Sequence, residues 1–139
     1  MAYPYQITSE EQYRAAYKKS VDDPEGFWTG VASHFYWRKK WDKVLEWDFV
    51  KPTIKWFIGG KLNITENCLD RHLEKLGNQP ALIWEPNNPE EKNRVLTYRE
   101  LHAKVVQFAN VLKNNGIQKG DRVCVYMAMV PELAIAILA

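Results

Sequence analysis

Cys68 and His72 stand four residues apart. On a helix that spacing puts a thiol and an imidazole on one face, where both could ligate a metal ion. A closed zinc site takes about four such ligands. His102 and Cys124 are the other soft donors of matching type, and neither lies at a pair spacing. A buried cysteine and a hydrogen-bonded histidine are therefore expected, and His34 has no companion in sequence. Asp70 and Arg71 read as one ion pair at a surface or interface. No Ser-His-Asp or Cys-His arrangement for nucleophilic catalysis follows from these spacings.

Gly59-Gly60-Lys61 has the residue types of a phosphate cradle, which needs converging amides, a lysine and an adjacent Ser or Thr. Leu62 follows the lysine instead, and no G-x-G-x-x-G occurs in the chain. A tight turn needing positive φ is the better account. Asn63-Ile64-Thr65 matches the glycosylation acceptor pattern, yet Asn63 fits better as a helix cap with Glu66 completing the box. The stretch "FYWRKKWDK" (35–43) alternates aromatics with positive charge, as single-strand nucleic-acid platforms do. Asp42, Glu46 and Asp48 neutralise it at once. Trp37 and Trp41 are expected to pack while Arg38, Lys39 and Lys40 face water.

The elements that would position these residues come in two textures. Five of the six tryptophans fall between Trp28 and Trp56, in a region that reads as short helices with long connections. Thr8 and Glu11 form a capping box ahead of a helix carrying Tyr13 and Tyr17. Asp23-Pro24 opens a second helix, whose apolar face is Phe27, Trp28, Val31, Ala32 and Phe35. From Trp41 to Trp56 no clean period appears, which suggests an extended, wrapping segment. Further on, "PALIWE" and "RVLTY" read as a hairpin. Thr97 and Glu100 box the start of a helix, with Leu96 and Leu101 as the staple. Leu101, Val105, Phe108 and Leu112 form its buried stripe, and Gly116 ends it. "GDRVCVYM" reads as a buried strand, and Pro131 opens a last, apolar helix that has a start signal but no stop. Strand–helix–strand–helix order points to a parallel sheet, so the expectation is the front piece of a larger α/β protein.

Charge carries little functional information. The formal net charge is +2 over 139 residues. Residues 1–75 hold 12 Lys and Arg against 11 Asp and Glu, and residues 76–139 hold 7 against 6. Neither is a basic arm for a polyanion. No export signal precedes Cys68 and Cys124, so two free thiols in a cytoplasmic setting are expected. No stretch approaches the roughly 20 apolar residues that span a bilayer.

The run "KWFIGGKLNITENCLDRHL" (55–73) resembles the signature closing the N-terminal region of AMP-forming acetyl-coenzyme A synthetases. "DDPEGFW" (22–28), "WDKVLEWDF" (41–49), "ALIWE" (81–85), "LTYREL" (96–101), "ANVLKNNGIQKGDRVCVYM" (109–127) and "MVPELAIAILA" (129–139) agree in order. The resemblance runs from about Tyr13 onward. "LTYREL" and "KGDRV" are similar to motifs of the whole acyl-adenylate-forming superfamily, whereas the tryptophan-rich front and NCLDRH narrow it to short-chain acyl-CoA synthetases. Ala128 departs from the proline usual before "MVPE".

The resemblance implies an α/β fold. Residues 1–75 would be an N-terminal helical and irregular wrap, and residues 76–139 the opening of a larger, truncated adenylate-forming domain. It implies a parent ligase that uses ATP, Mg2+ and CoA to turn acetate into acetyl-CoA through acetyl-adenylate, with propionate as the alternative acid. The parent's reacting groups are expected beyond residue 139. No catalytic, cofactor-binding or metal-ligating residue is expected here, nor any cofactor bound by this segment, nor activity from it alone. Its expected partner is the rest of the same enzyme chain, without nucleic acid or membrane, and an exposed apolar helix leaves room for self-association. The alternative of another class is a small aromatic and basic nucleic-acid-binding module.

Overall fold

The computed structural model describes residues 6–139, so the first five residues of the region 1–75 lie outside the described residues. The chain divides into two compact units, one running to Leu62 and one from Asn63 to Ala139.

In the first unit, helix α1 spans Glu10–Asp22 and is capped by Ser9, whose hydroxyl accepts from the Gln12 amide at 3.2 Å. The cap therefore sits one residue later than the Thr8–Glu11 box expected from sequence. Thr8 instead donates its amide and hydroxyl to the Gln12 side chain. Helix α2, Pro24–Ala32, starts as the sequence indicates, with Asp23 accepting from the Gly26 amide and proline at the first turn. It stops at Ala32, so Phe35 lies beyond it. The segment expected to be extended and wrapping is in fact an antiparallel hairpin of β1 (Lys43–Asp48) and β2 (Thr53–Ile58). Asp48 closes it by accepting the Val50 and Lys51 amides at 2.8 and 3.2 Å, an Asx turn that fixes the register. Leu45 pairs with Trp56 and Trp47 with Ile54, while Glu46 opposite Lys55 lies on the other face.

Phe57, next to last in β2, has φ of 50°, a left-handed conformation that bulky residues seldom take. The bend delivers its ring to Trp37 and Trp41, at centroid distances of 5.4 and 5.2 Å.

The second unit has a conventional aliphatic core. Helix α3 (Ile64–Cys68) leads through a tight 3-10 turn, Asp70–His72, into the single turn α4 (Leu73–Leu76). Strands β3 (Pro80–Trp84) and β4 (Arg94–Thr97) form the expected hairpin. Helix α5 (Tyr98–Asn114) begins at the expected box: Thr97 accepts from the Glu100 amide at 3.2 Å, and the Glu100 carboxylate takes the Thr97 amide at 2.9 Å. Those bonds hold the Glu100 carboxyl below its ordinary range. Gly116, at φ of 84°, ends the helix region. Helix α6 (Pro131–Leu138) brings Ile135 onto Leu69, Leu96, Leu101 and Val105, and these five form the core.

Two expectations about strands fail in this unit. Residues 120–127, "GDRVCVYM", form no strand, and Val123, Val125 and Tyr126 are exposed. Both sheets are two-stranded and antiparallel, so among the described residues no parallel neighbour pairs with this segment. Alternating valines favour a pleated surface, but a strand needs a partner to be one.

Candidate functional site

The residues that drew attention in sequence turn out to be engaged in structural contacts. Gly59 does take positive φ, at 78°, and an added Cβ would fall 2.0 Å from the Asp42 carboxylate. The Gly60 amide donates to the Phe57 carbonyl at 2.9 Å, and the Lys61 amide to the Lys39 carbonyl at 2.8 Å. The first amide is spent inside the turn and the second in an antiparallel bridge to Lys39, so they do not converge on an anion.

Asn63 caps α3 by accepting from the Thr65 and Glu66 amides. The Thr65 hydroxyl reaches across the unit to donate to the Leu138 carbonyl at 2.8 Å, which satisfies an orphan acceptor at the end of α6. Asn67 is the buried polar residue of this stretch. Its amide group donates to the Asn63 carbonyl, and its oxygen accepts from Arg71 at 3.1 Å. Leu69, 2% exposed, plugs the core.

Asp70 and Arg71 do not pair with one another. Neighbouring residues on a tight turn point apart, so Asp70 faces His102 at 3.5 Å while Arg71 turns back to Asn67. The His72 ring tilts against Tyr98 at 5.4 Å. Cys68 is exposed rather than buried, as is Cys124, and neither is in a disulfide. Among the described residues no group of three or more His, Cys, Asp or Glu is placed to hold a metal ion.

The aromatic–basic stretch packs on itself. Trp37 and Trp41 meet edge to face at 4.9 Å, and the Trp37 indole donates to the Ala32 carbonyl at 2.8 Å. Lys39 is paired with Asp42 at 3.0 Å, and Lys40 lies over the Trp41 ring at 5.2 Å.

A feature that sequence reading passed over is the apolar face of the β1–β2 hairpin. Leu45, Trp47, Phe49, Pro52, Ile54 and Trp56 line a groove of about 420 Å³. Phe49 and Val50 at its tip are 83% and 91% exposed. The alternation of Leu45 with Trp47, and of Ile54 with Trp56, was its signal. In the second unit, the Arg94 guanidinium makes a two-pronged contact with Glu132, at 2.6 and 3.2 Å, and the Trp84 indole donates to the Met129 carbonyl at 2.7 Å. The arginine holds the Glu132 carboxyl below its ordinary range. No described helix is long and apolar enough to cross a membrane.

Comparison with known proteins matches both parts of the chain. Residues 13–68 fit the family model of the acetyl-coenzyme A synthetase N-terminus, and residues 69–139 that of AMP-binding enzymes. The acetyl-coenzyme A synthetase of Magnetococcus marinus is 54% identical over 134 residues, which is 96% of this chain and 21% of that protein. That of Leptospira biflexa is 55% identical over 94% of this chain and 20% of its own length. A solved structure of acetoacetyl-CoA synthetase from Streptomyces lividans superposes with a TM-score of 0.82 at 28% identity, covering 97% of this chain and 21% of that one. The chain spans about a fifth of the length of the curated relatives it matches.

Proposed function

The chain belongs to the AMP-binding enzyme family, preceded by an acetyl-coenzyme A synthetase N-terminus, and from this we propose that it serves as the N-terminal scaffold of an acetate–CoA ligase. In the whole protein the acetate carboxylate attacks the α-phosphate of ATP, releasing pyrophosphate and forming acetyl-adenylate. The thiol of coenzyme A then displaces AMP to give acetyl-CoA. Acetate is favoured over a larger acid because the relatives named for acetyl are 54 and 55% identical, against 28% for the acetoacetyl-CoA synthetase structure.

Among the described residues, neither the Gly59–Lys61 turn nor the hairpin groove fits a nucleotide or its magnesium ion. The Gly60 amide is committed to the Phe57 carbonyl within its turn and the Lys61 amide to the Lys39 carbonyl across a bridge. The hairpin groove is apolar apart from Asp48 and Thr53, and the Asp48 carboxylate would repel a phosphate. The reading therefore assigns no catalytic, cofactor-binding or metal-ligating residue to this chain and routes no chemical step through it. Residues 1–75 are taken as the N-terminal region and residues 76–139 as the opening of the adenylate-forming domain. The unit boundary at 62/63 and the meeting of the two family matches at 68/69 both lie a little ahead of that division.

The partner in this reading is the rest of the same enzyme chain, with acetate, ATP and CoA as its substrates. Phe49, Val50, Ile54, Ile83, Met129 and Ile137 are exposed in the two units, and such apolar surface calls for cover. Nucleic acid is disfavoured, because Trp37 and Trp41 are turned on one another and Lys39 is neutralised by Asp42. The exposed thiols of Cys68 and Cys124 favour the cytoplasm.

The observation that carries the proposal is identity above 50% across nearly the whole chain to proteins five times its length. Acetate-dependent exchange of pyrophosphate into ATP tests it. The 139-residue chain alone is expected to give none, and a protein joining it to the remaining four-fifths of the Magnetococcus marinus relative is expected to give exchange. Turnover by the chain alone, or none by the joined protein when it is folded, overturns the assignment.

A further inference from the structure

We draw no further inference here: the strongest candidate, the apolar groove on the β1–β2 hairpin lined by Leu45, Trp47, Phe49, Ile54 and Trp56, is an unpartnered face, and nothing in the structure shows what covers it beyond the docking on the same polypeptide that the proposed function already contains.

Discussion

The two units solve the problem of a small core differently. From Asn63 onward, five aliphatic side chains drawn from α3's end, β4, α5 and α6 meet in one buried cluster. Up to Leu62, the buried apolar residues among those described are Ala32, Val44 and Leu45, and the larger contacts are rings meeting rings: Trp28 on Trp56, Trp37 on Trp41, and Phe57 against both Trp37 and Trp41. Aliphatic packing is non-directional and scales with buried area, whereas ring pairs keep their geometry while half in water. A unit of the second kind can hold its shape and still offer apolar surface to something else.

Truncating each kind of core tests this contrast. Leu69→Ala should be the most damaging change, costing about 3–4 kcal/mol, because it empties a fully buried site. Hydrogen exchange should show lost protection across α5, with the β1–β2 hairpin amides little altered. An equal loss over both units would dissolve the contrast. Trp37→Ala removes three half-exposed contacts, two aromatic neighbours and one hydrogen bond. It should cost about 2–3 kcal/mol, below the value for a fully buried aromatic. Near-ultraviolet circular dichroism should collapse in the same variant, whereas Leu69→Ala should spare much of that signal.

Smaller changes sharpen the picture of the second unit. Thr97→Ala removes the cap of α5 and should cost about 1 kcal/mol in denaturant unfolding. An unchanged midpoint would mean that the core alone holds the helix start. The smallest effect concerns Glu132, whose folded-state pKa is lowered chiefly by the hydrogen bonds from Arg94. A depressed carboxyl stabilises above its unfolded pKa and loses that contribution as pH falls through the folded one. Stability should therefore decline slightly more steeply below about pH 4 in the parent than in Glu132→Gln, and identical slopes would remove the pair from the account. Both partners are roughly half exposed, so solvent keeps this effect small.

What could be read from sequence was mostly what a residue does to its near neighbours, although the equally local Thr8–Glu11 box gave way to a cap at Ser9. Asp23-Pro24, Asn63, the Thr97–Glu100 box and Gly116 each act within three or four positions, and each sits where the pattern puts it. The β1–β2 hairpin escaped because Val44 and Leu45 are both buried, and two consecutive buried residues blur the period of two. Residues 120–127 misled in the opposite direction. Their apolar alternation states a preference that only a neighbouring strand can honour, and sequence is silent on whether one is at hand. For the candidate site, the contacts of NCLDRH were illegible for a similar reason. His102 and Tyr98, which meet Asp70 and His72, lie more than twenty residues away along the chain.

The hydroxyl of Thr65 and the carbonyl of Leu138 are separated by 73 positions. A ribosome that has delivered everything through Met129 has made the donor but not its acceptor, and Ile135 is still to come. Closing so long a stretch has an entropic cost that local turns never meet. Until α6 emerges, the nascent second unit carries Leu69, Leu101 and Val105 without Ile135 against them. Packing of this cluster therefore waits on α6, and the interval before that helix arrives is when a chaperone would find these side chains open.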